Sequence, residues 1–109
     1  FILEANTQVP KLLHSQKKTV GIRVPNHGIP RAIVEALGHP ILSSSLPHGD
    51  EDPLEYSTDP ELIFEKYQYE VDVVIDGGYG GVIPSTVLDC TGEEVLCLRE
   101  GLGDFQDLL

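Results

Sequence analysis

Short runs of alternating apolar and polar residues, separated by glycine and proline, predict a series of strands. They are FILEA at 1–5, TVGIRV at 19–24, PILSSS at 40–45, VDVVID at 71–76, IPSTVLD at 83–89 and EVLCLREG at 94–101. Pro25 ends the second run, and a turn at 91–94 joins the last two into a hairpin. If Cys90 faces Val95 across that turn, Cys97 faces Leu88, so the two thiols are not opposed and a disulfide is not expected.

Two stretches have helical rather than strand periodicity. Ile29, Ile33 and Leu37 recur at four-residue spacing, with Pro30 in the first turn and Gly38 after the last. This pattern predicts a helix that ends at the glycine.

The second helix is predicted from its start signal. Thr58 or Asp59 can supply the capping oxygen, Pro60 suits the first turn, and Glu61 follows three residues after Thr58. The helix is expected to continue to about Tyr69. Strands alternating with helices predict an α/β fold with a mixed sheet.

Composition limits the size and class of the protein. The chain has 109 residues, of which 40% are hydrophobic and 23% are charged, so it forms one globular domain or part of one. Because the chain opens directly on a strand pattern, we expect it to be part of a longer domain. It has neither a signal-peptide pattern nor an apolar run of membrane-spanning length, and we expect a cytoplasmic protein.

The charge balance disfavours broad contact with nucleic acid. Seven basic residues stand against 18 acidic ones, a net charge of -11 that repels phosphate backbones. Lys11, Lys17 and Lys18 form a basic cluster, which is either a solvated connector or a weak contact surface. The four histidines have no zinc-site spacing, and the acidic loop at 46–57 has no calcium-loop pattern, so no metal site is predicted.

Small and hydroxyl residues gather between the last predicted strands. Gly77, Gly78, Gly80 and Gly81 can bring backbone amides close to an anion, and nearby hydroxyls and an arginine can bind it. The same glycines are equally typical of a mobile loop between two strands.

Hydroxyl and arginine residues also stand near other element ends. Ser43 and Ser45 lie at the carboxyl end of a predicted strand, where ligands bind in open α/β sheets, although a plain strand exit has the same pattern. Arg23 precedes the amino end of the first helix, a position suited to an anion, although many such helix ends bind nothing.

Four strings in this order and spacing, KTVGIRVP, PILSSS, GGYGGVIPSTVLD and LREGLGD, resemble the carboxyl-terminal half of the YrdC/YciO family. The resemblance covers essentially the whole chain. It implies a YrdC/RibB-like twisted mixed open sheet with helices packed on it, and residues 1–109 as the carboxyl-terminal part of a single YrdC-like domain. In that family the preceding half carries a lysine and arginine motif.

The resemblance also implies an activity. Family members are nucleotidyltransferases that join ATP, bicarbonate and L-threonine into threonylcarbamoyl-adenylate, which serves transfer RNA modification, and some are described as binding double-stranded RNA. It implies ATP with Mg²⁺ as substrate and no tightly bound cofactor. A non-catalytic nucleotide- or RNA-binding module is the alternative.

Residue roles are carried over from the family's motifs, without a catalytic residue being assigned. Arg99 matches an R-x-G motif, Arg23 matches an R-V-P strand, and Ser43 and Ser45 match the serines of an S-x-N region. All four residues are expected to bind nucleotide or phosphate. Ser85 and Thr86 match an S-T-V motif and are expected to bind threonine or phosphate.

One departure from the family pattern bears on activity. Where the synthases have Ser-Ala-Asn, this chain has Ser45, Leu46 and Pro47. The side-chain amide is missing, and proline has no backbone N–H to replace it. The pattern resembles the YciO branch rather than the YrdC synthases.

Overall fold

The computed structural model describes residues 1–47 and 58–109, which fall into two compact units. The first unit combines residues 1–24 with residues 83–109, and the second comprises residues 25–82. Most of the acidic loop predicted at 46–57, together with His48, lies outside the described residues.

The first unit is built on a four-stranded mixed sheet. Its strands are β1 (Ile2–Glu4), β2 (Thr19–Gly21), β3 (Val87–Asp89) and β4 (Leu96–Arg99), arranged in the order β2-β1-β3-β4. Strand β1 is antiparallel to β2 and parallel to β3, while β3 is antiparallel to β4. The prediction of a mixed sheet within an α/β fold is confirmed.

Two apolar side chains form the buried centre of this unit. Leu88 in β3 is 3% exposed, and Phe105 in the tail after β4 is 9% exposed. The tail therefore contributes Phe105 to the buried centre, whereas Leu108 and Leu109 remain exposed.

The hairpin of β3 and β4 has the predicted register with one irregularity. Leu88 pairs with Cys97 as expected, and both cysteines are free. The next pair is Val87 with Arg99, so Leu98 is an extra residue on β4 and forms a β-bulge.

The second unit contains two helices whose ends have local causes. Helix α1 spans Gly28–Leu37 and begins where the Ile29 N–H donates to Nδ1 of His27, at 3.1 Å. It ends at Gly38, whose φ of 78° lies in the left-handed region that glycine adopts most easily. The predicted stop is confirmed, and the cap is a histidine that the pattern did not indicate.

Helix α2 spans Pro60–Tyr67 and is capped by a carboxylate. The Glu61 N–H donates to Oδ1 of Asp59, at 3.0 Å, so Asp59 is the cap of the two candidates. The helix ends two residues earlier than predicted.

Some of the predicted strands are wrong. Residues 40–45 and 71–76 form no strand, and β2 ends at Gly21 rather than at residue 24. A strand exists only where a second strand completes its hydrogen bonds, and among the described residues no strand lies beside residues 40–45 or 71–76. Val71, Val73 and Ile75 are consequently exposed. Beyond β2, the backbone pairing continues to Ile22, which exchanges two hydrogen bonds with Phe1.

A carboxylate at the end of β3 makes the stability of this unit depend on pH. The Thr91 hydroxyl and the Thr91 N–H both donate to Oδ1 of Asp89, at 2.6 and 2.9 Å. These bonds favour the ionised carboxylate and hold the pKa of Asp89 below its ordinary value of 3.8. Because the folded-state pKa is lowered, these bonds to ionised Asp89 stabilise the fold at a pH above the unfolded-state pKa. This stabilisation is lost as the pH falls through the folded-state pKa.

We therefore expect Thr91→Ala to raise the pKa of Asp89 and to reduce stability at neutral pH, with a smaller difference from wild type in strong acid. Thr91→Ser, which keeps the hydroxyl, should behave like wild type. Carboxyl chemical shifts during an acid titration give the pKa, and urea unfolding at each pH gives the stability. An unchanged Asp89 pKa in Thr91→Ala would contradict the assignment.

Candidate functional site

The guanidinium of Arg99 is fixed against Ser85 at the end of the hairpin. Its Nε and Nη2 both donate to the Ser85 carbonyl oxygen, at 3.0 and 2.8 Å, and Nη2 also reaches Ser85 Oγ at 3.2 Å. One edge of the planar group is thus held by a single residue on the facing segment.

The β-bulge explains why Arg99 meets Ser85. In a regular continuation of the Leu88 and Cys97 pair, Arg99 would lie opposite Thr86. The extra residue Leu98 instead places Arg99 opposite Val87. Ser85, two residues before Val87, then becomes a diagonal neighbour on the same face, within reach of a long side chain.

The remaining edge of the guanidinium is suited to an anion. Arg99 is exposed, and within the part of the chain that the structure describes its Nη1 has no hydrogen-bond partner. Nη1 carries two N–H groups, and these can donate charge-assisted hydrogen bonds to the oxygens of a phosphate or carboxylate. Because the inner edge is already held, less side-chain freedom is lost when an anion binds the outer edge.

The hydroxyl of Thr86 is used inside the hairpin. It donates to the Gly103 carbonyl oxygen at 2.7 Å and accepts from the Gly101 N–H at 3.0 Å. Its single proton is already donated, so it has no second proton for a ligand. In this structure Thr86 holds the segment after β4 against the segment before β3.

Sequence reasoning assigned no role to two glycines that complete this arrangement: Gly101, the glycine of the R-x-G match, and Gly103. Gly101 is half-buried and lies directly against the backbone of Pro84 and Ser85. The string LREGLGD contains both glycines, which is the sequence feature that could have indicated them. Their spacing alone does not show which glycine lies against a neighbouring backbone.

The glycine-rich segment is held by hydrogen bonds within the second unit. The Gly78 N–H donates to Oδ1 of Asp76 at 2.9 Å, and the Gly80 N–H donates to the Thr58 carbonyl at 2.8 Å. Gly78 has a φ of 89°, which favours glycine. These two amides are therefore engaged rather than directed at open space.

Two further predicted site residues belong to the second unit. Ser43 and Ser45 are exposed in the second unit, in a segment without regular structure. In the same segment, the Pro47 carbonyl accepts a long hydrogen bond of 3.5 Å from the Tyr67 hydroxyl.

Arg23 lies in the first unit but at the other edge of its sheet. It follows β2, whereas Arg99 ends β4, and strands β1 and β3 separate the two. At about 4.8 Å per strand spacing, β2 and β4 lie about 14 Å apart, so the two arginines are not neighbours in the sheet.

A shallow groove of about 430 Å³ in the second unit does not contain the predicted site residues. It is lined by Pro60, Glu61, Phe64, Glu65, Val74 and Asp76. Its carboxylates would repel a phosphate. Across the residues that the structure describes, no three metal-binding side chains are grouped to hold an ion.

None of the helices in residues 1–47 and 58–109 has the length and apolar content needed to cross a membrane.

Comparison with known proteins gives consistent matches. The YciO/YrdC family model, whose description reads "Telomere recombination", matches residues 1–101. The uncharacterized protein YciO of Escherichia coli is 43% identical over the whole of this chain, which covers 52% of that relative. An uncharacterized protein of Haemophilus influenzae is 45% identical over 94% of this chain and 50% of its own length.

A threonylcarbamoyl-AMP synthase of Chromohalobacter salexigens is a more distant match, with 29% identity over 88% of this chain and 50% of the synthase. The crystal structure of Escherichia coli YciO has a TM-score of 0.81 to this chain at 40% identity, covering 99% of this chain and 52% of that one. The chain thus spans about half the length of the curated relatives it matches.

The family match over residues 1–101, the identity to YciO across the whole chain and the shared mixed sheet lead to one conclusion: the chain belongs to the YrdC/YciO family.

Proposed function

We propose that this chain supplies part of the nucleotide site of a threonylcarbamoyl-AMP synthase-type enzyme with a reduced rate. The observation that carries the proposal is Arg99, which is fixed along one edge by Ser85 and leaves the two N–H groups of Nη1 to donate outward. The distant similarity to a threonylcarbamoyl-AMP synthase supports the reaction class.

The proposed reaction needs positioning and charge stabilisation more than a covalent relay. The threonine amine attacks the carbon of bicarbonate, and loss of water leaves a carbamate. A carbamate oxygen then attacks the α-phosphorus of ATP, the bond from that phosphorus to the oxygen bridging the β-phosphate breaks, and pyrophosphate leaves. Negative charge that develops on the phosphoryl oxygens is stabilised by fixed donors.

Residues of this chain have distinct roles in the proposal. Arg99 binds phosphate through its outer edge, and Ser85 holds Arg99 and can offer its own hydroxyl to threonine or phosphate. Thr86 fixes the backbone of this hairpin. Ser43 and Ser45 are assigned to the nucleotide through the family motif, and Arg23 is assigned to phosphate in the same way.

Magnesium enters the proposal as part of the substrate, bound to ATP. It neutralises charge on the phosphates, as divalent ions do in phosphoryl-transfer sites. No group of this chain is assigned to it.

The segment Ser45 to Pro47 is the reason for expecting a slow enzyme. It lacks both the asparagine amide and, at Pro47, a backbone donor. If this departure abolishes turnover altogether, the same nucleotide contacts would serve a binding module. The net charge of -11 favours a nucleotide over duplex RNA as the ligand of such a module.

We expect the full-length protein to form threonylcarbamoyl-adenylate when supplied with ATP, magnesium, threonine and isotope-labelled bicarbonate. Mass spectrometry detects the product, and omission of each substrate in turn is the control. ATP binding without any labelled product would favour the binding module, whereas the absence of both would reject the proposed function.

A further inference from the structure

We infer that Gly101 is a positioning residue of the nucleotide site, because its missing side chain allows Arg99 and Ser85 to meet. The inference rests on the proposed function for its effect on nucleotide binding. The contact between Gly101 and Ser85 is a feature of the hairpin itself and can be tested without any ligand.

A side chain at position 101 would collide with backbone atoms. A Cβ there would overlap the Pro84 carbonyl oxygen and would lie 2.6 Å from the Ser85 carbonyl carbon and 2.8 Å from the Ser85 carbonyl oxygen. These distances are shorter than carbon atoms tolerate, and a backbone cannot rotate away as a flexible side chain can. The Pro84–Ser85 peptide would therefore have to move.

The atom that would move is the one that fixes Arg99. The Ser85 carbonyl oxygen accepts from both Nε and Nη2 of Arg99, so its displacement breaks two of the three bonds that hold the guanidinium. Gly101 also donates its N–H to Thr86, and the Leu102 N–H donates to the Pro84 carbonyl at 3.0 Å. These bonds keep the two segments pressed together.

Backbone conformation does not account for the glycine. The positive-φ glycines of the described chain are Gly38 and Gly78, so the φ of Gly101 does not lie in the left-handed region that favours glycine. The requirement for glycine at position 101 is therefore one of space.

Gly103 provides a matched control two residues away. A Cβ at position 103 would lie 3.5 Å from Thr86 Oγ1 and 3.6 Å from Thr86 Cβ, which are ordinary contacts with a side chain. Gly103→Ala adds the same methyl group to the same segment without displacing the backbone of Ser85.

The ligand-free test is the NMR signal of the Arg99 Nε–H in the full-length protein. We expect slow solvent exchange of this proton in wild type and in Gly103→Ala, and fast exchange in Gly101→Ala. Equal protection in Gly101→Ala and Gly103→Ala would overturn the inference, whatever the protein binds.

The ligand test is a double-mutant cycle measured by calorimetric titration with ATP. Gly101→Ala should weaken binding about tenfold or more, the cost of losing a hydrogen bond to a charged group, and Gly103→Ala by no more than about twofold. In an Arg99→Ala background, Gly101→Ala should have little further effect, because it acts through Arg99. Additive losses would indicate a merely structural glycine and overturn the inference.

Failure of the proposed function would look different. If wild type binds no ATP, the nucleotide site is rejected, while the Nε–H exchange still decides whether Gly101 positions Arg99. If Gly101→Ala does not fold, Thr86→Val replaces it in both measurements. That variant removes the hydroxyl that accepts from the Gly101 N–H, and so loosens the close approach of Gly101 to Pro84 and Ser85 without adding a side chain there. Retained Nε–H protection or additivity with Arg99→Ala would then count against the inference.

Discussion

Arg99→Ala should weaken ATP binding by the full-length protein about ten- to a hundredfold. The substitution removes a charge-assisted contact to phosphate, which typically contributes about 1.5–3 kcal/mol. The loss should fall at the upper end because Ser85 holds the side chain before the nucleotide arrives, so wild type loses little conformational entropy on binding. Calorimetric titration measures the change.

Two further variants separate charge from geometry. Arg31→Ala removes the same charge from an exposed position on α1 and should leave ATP affinity nearly unchanged. Arg99→Lys keeps the charge but cannot bond Ser85 and a phosphate through opposite edges of one plane, so its affinity should lie nearer to Arg99→Ala than to wild type. An Arg99→Ala protein that binds ATP as tightly as wild type would rule out Arg99 as a ligand.

Restoring the family pattern should raise the rate of the proposed reaction. With Leu46→Ala and Pro47→Asn together, we expect threonine-dependent pyrophosphate release to rise about ten- to a hundredfold, the effect of regaining one hydrogen bond to a charged or strongly polar ligand. The gain should appear in the rate with ATP, bicarbonate and threonine all present. A coupled pyrophosphate assay on the full-length protein measures it.

Pro47→Ala, combined with Leu46→Ala, is the matched control for that experiment. It restores the backbone N–H at position 47 but supplies no side-chain amide. If the rate rises with Pro47→Asn but not with Pro47→Ala, each combined with Leu46→Ala, the effect is due to the side-chain amide. If the rate rises equally with both, the effect is due to the backbone N–H. If neither variant nor wild type shows threonine-dependent release, the departure at 45–47 does not limit a synthase.

The end of α1, the start of α2 and the hairpin could be predicted because their causes are local. A glycine after the last apolar position ends α1, and an acid before a proline begins α2. The pairing of Leu88 with Cys97 follows from the length of the turn between β3 and β4. Each of these features depends on residues within a few positions of one another.

The failed strand predictions have a non-local cause. VDVVID at 71–76 has the composition of a buried strand, but composition does not show whether another strand lies beside it. The run 40–45 is wrongly assigned for the same reason. The run 19–24 does pair with β1, but it extends past Ile22, which exchanges backbone hydrogen bonds with Phe1.

Sequence reasoning named Ser85, Thr86 and Arg99 as candidate site residues but did not predict the contacts between them. Ser85 and Arg99 are brought together, but through a β-bulge at Leu98 that the alternating pattern does not signal. Thr86 has the residue type of a ligand donor, yet its proton is used by Gly103. The crowding of Gly101 depends on the neighbouring segment, which becomes visible only when both segments are placed.

The central claim, that Arg99 is held by Ser85 along one edge and binds nucleotide through the other, is tested most directly by arginine side-chain NMR during an ATP titration. The full-length protein is labelled with ¹⁵N, and the Arg99 signals are identified by their loss in Arg99→Lys. We predict that the Nη signals of Arg99 shift with ATP until saturation, while its Nε–H stays protected from exchange throughout. Arg99 signals that do not move at saturating ATP, or an Nε–H that loses its protection as ATP binds, would contradict the account.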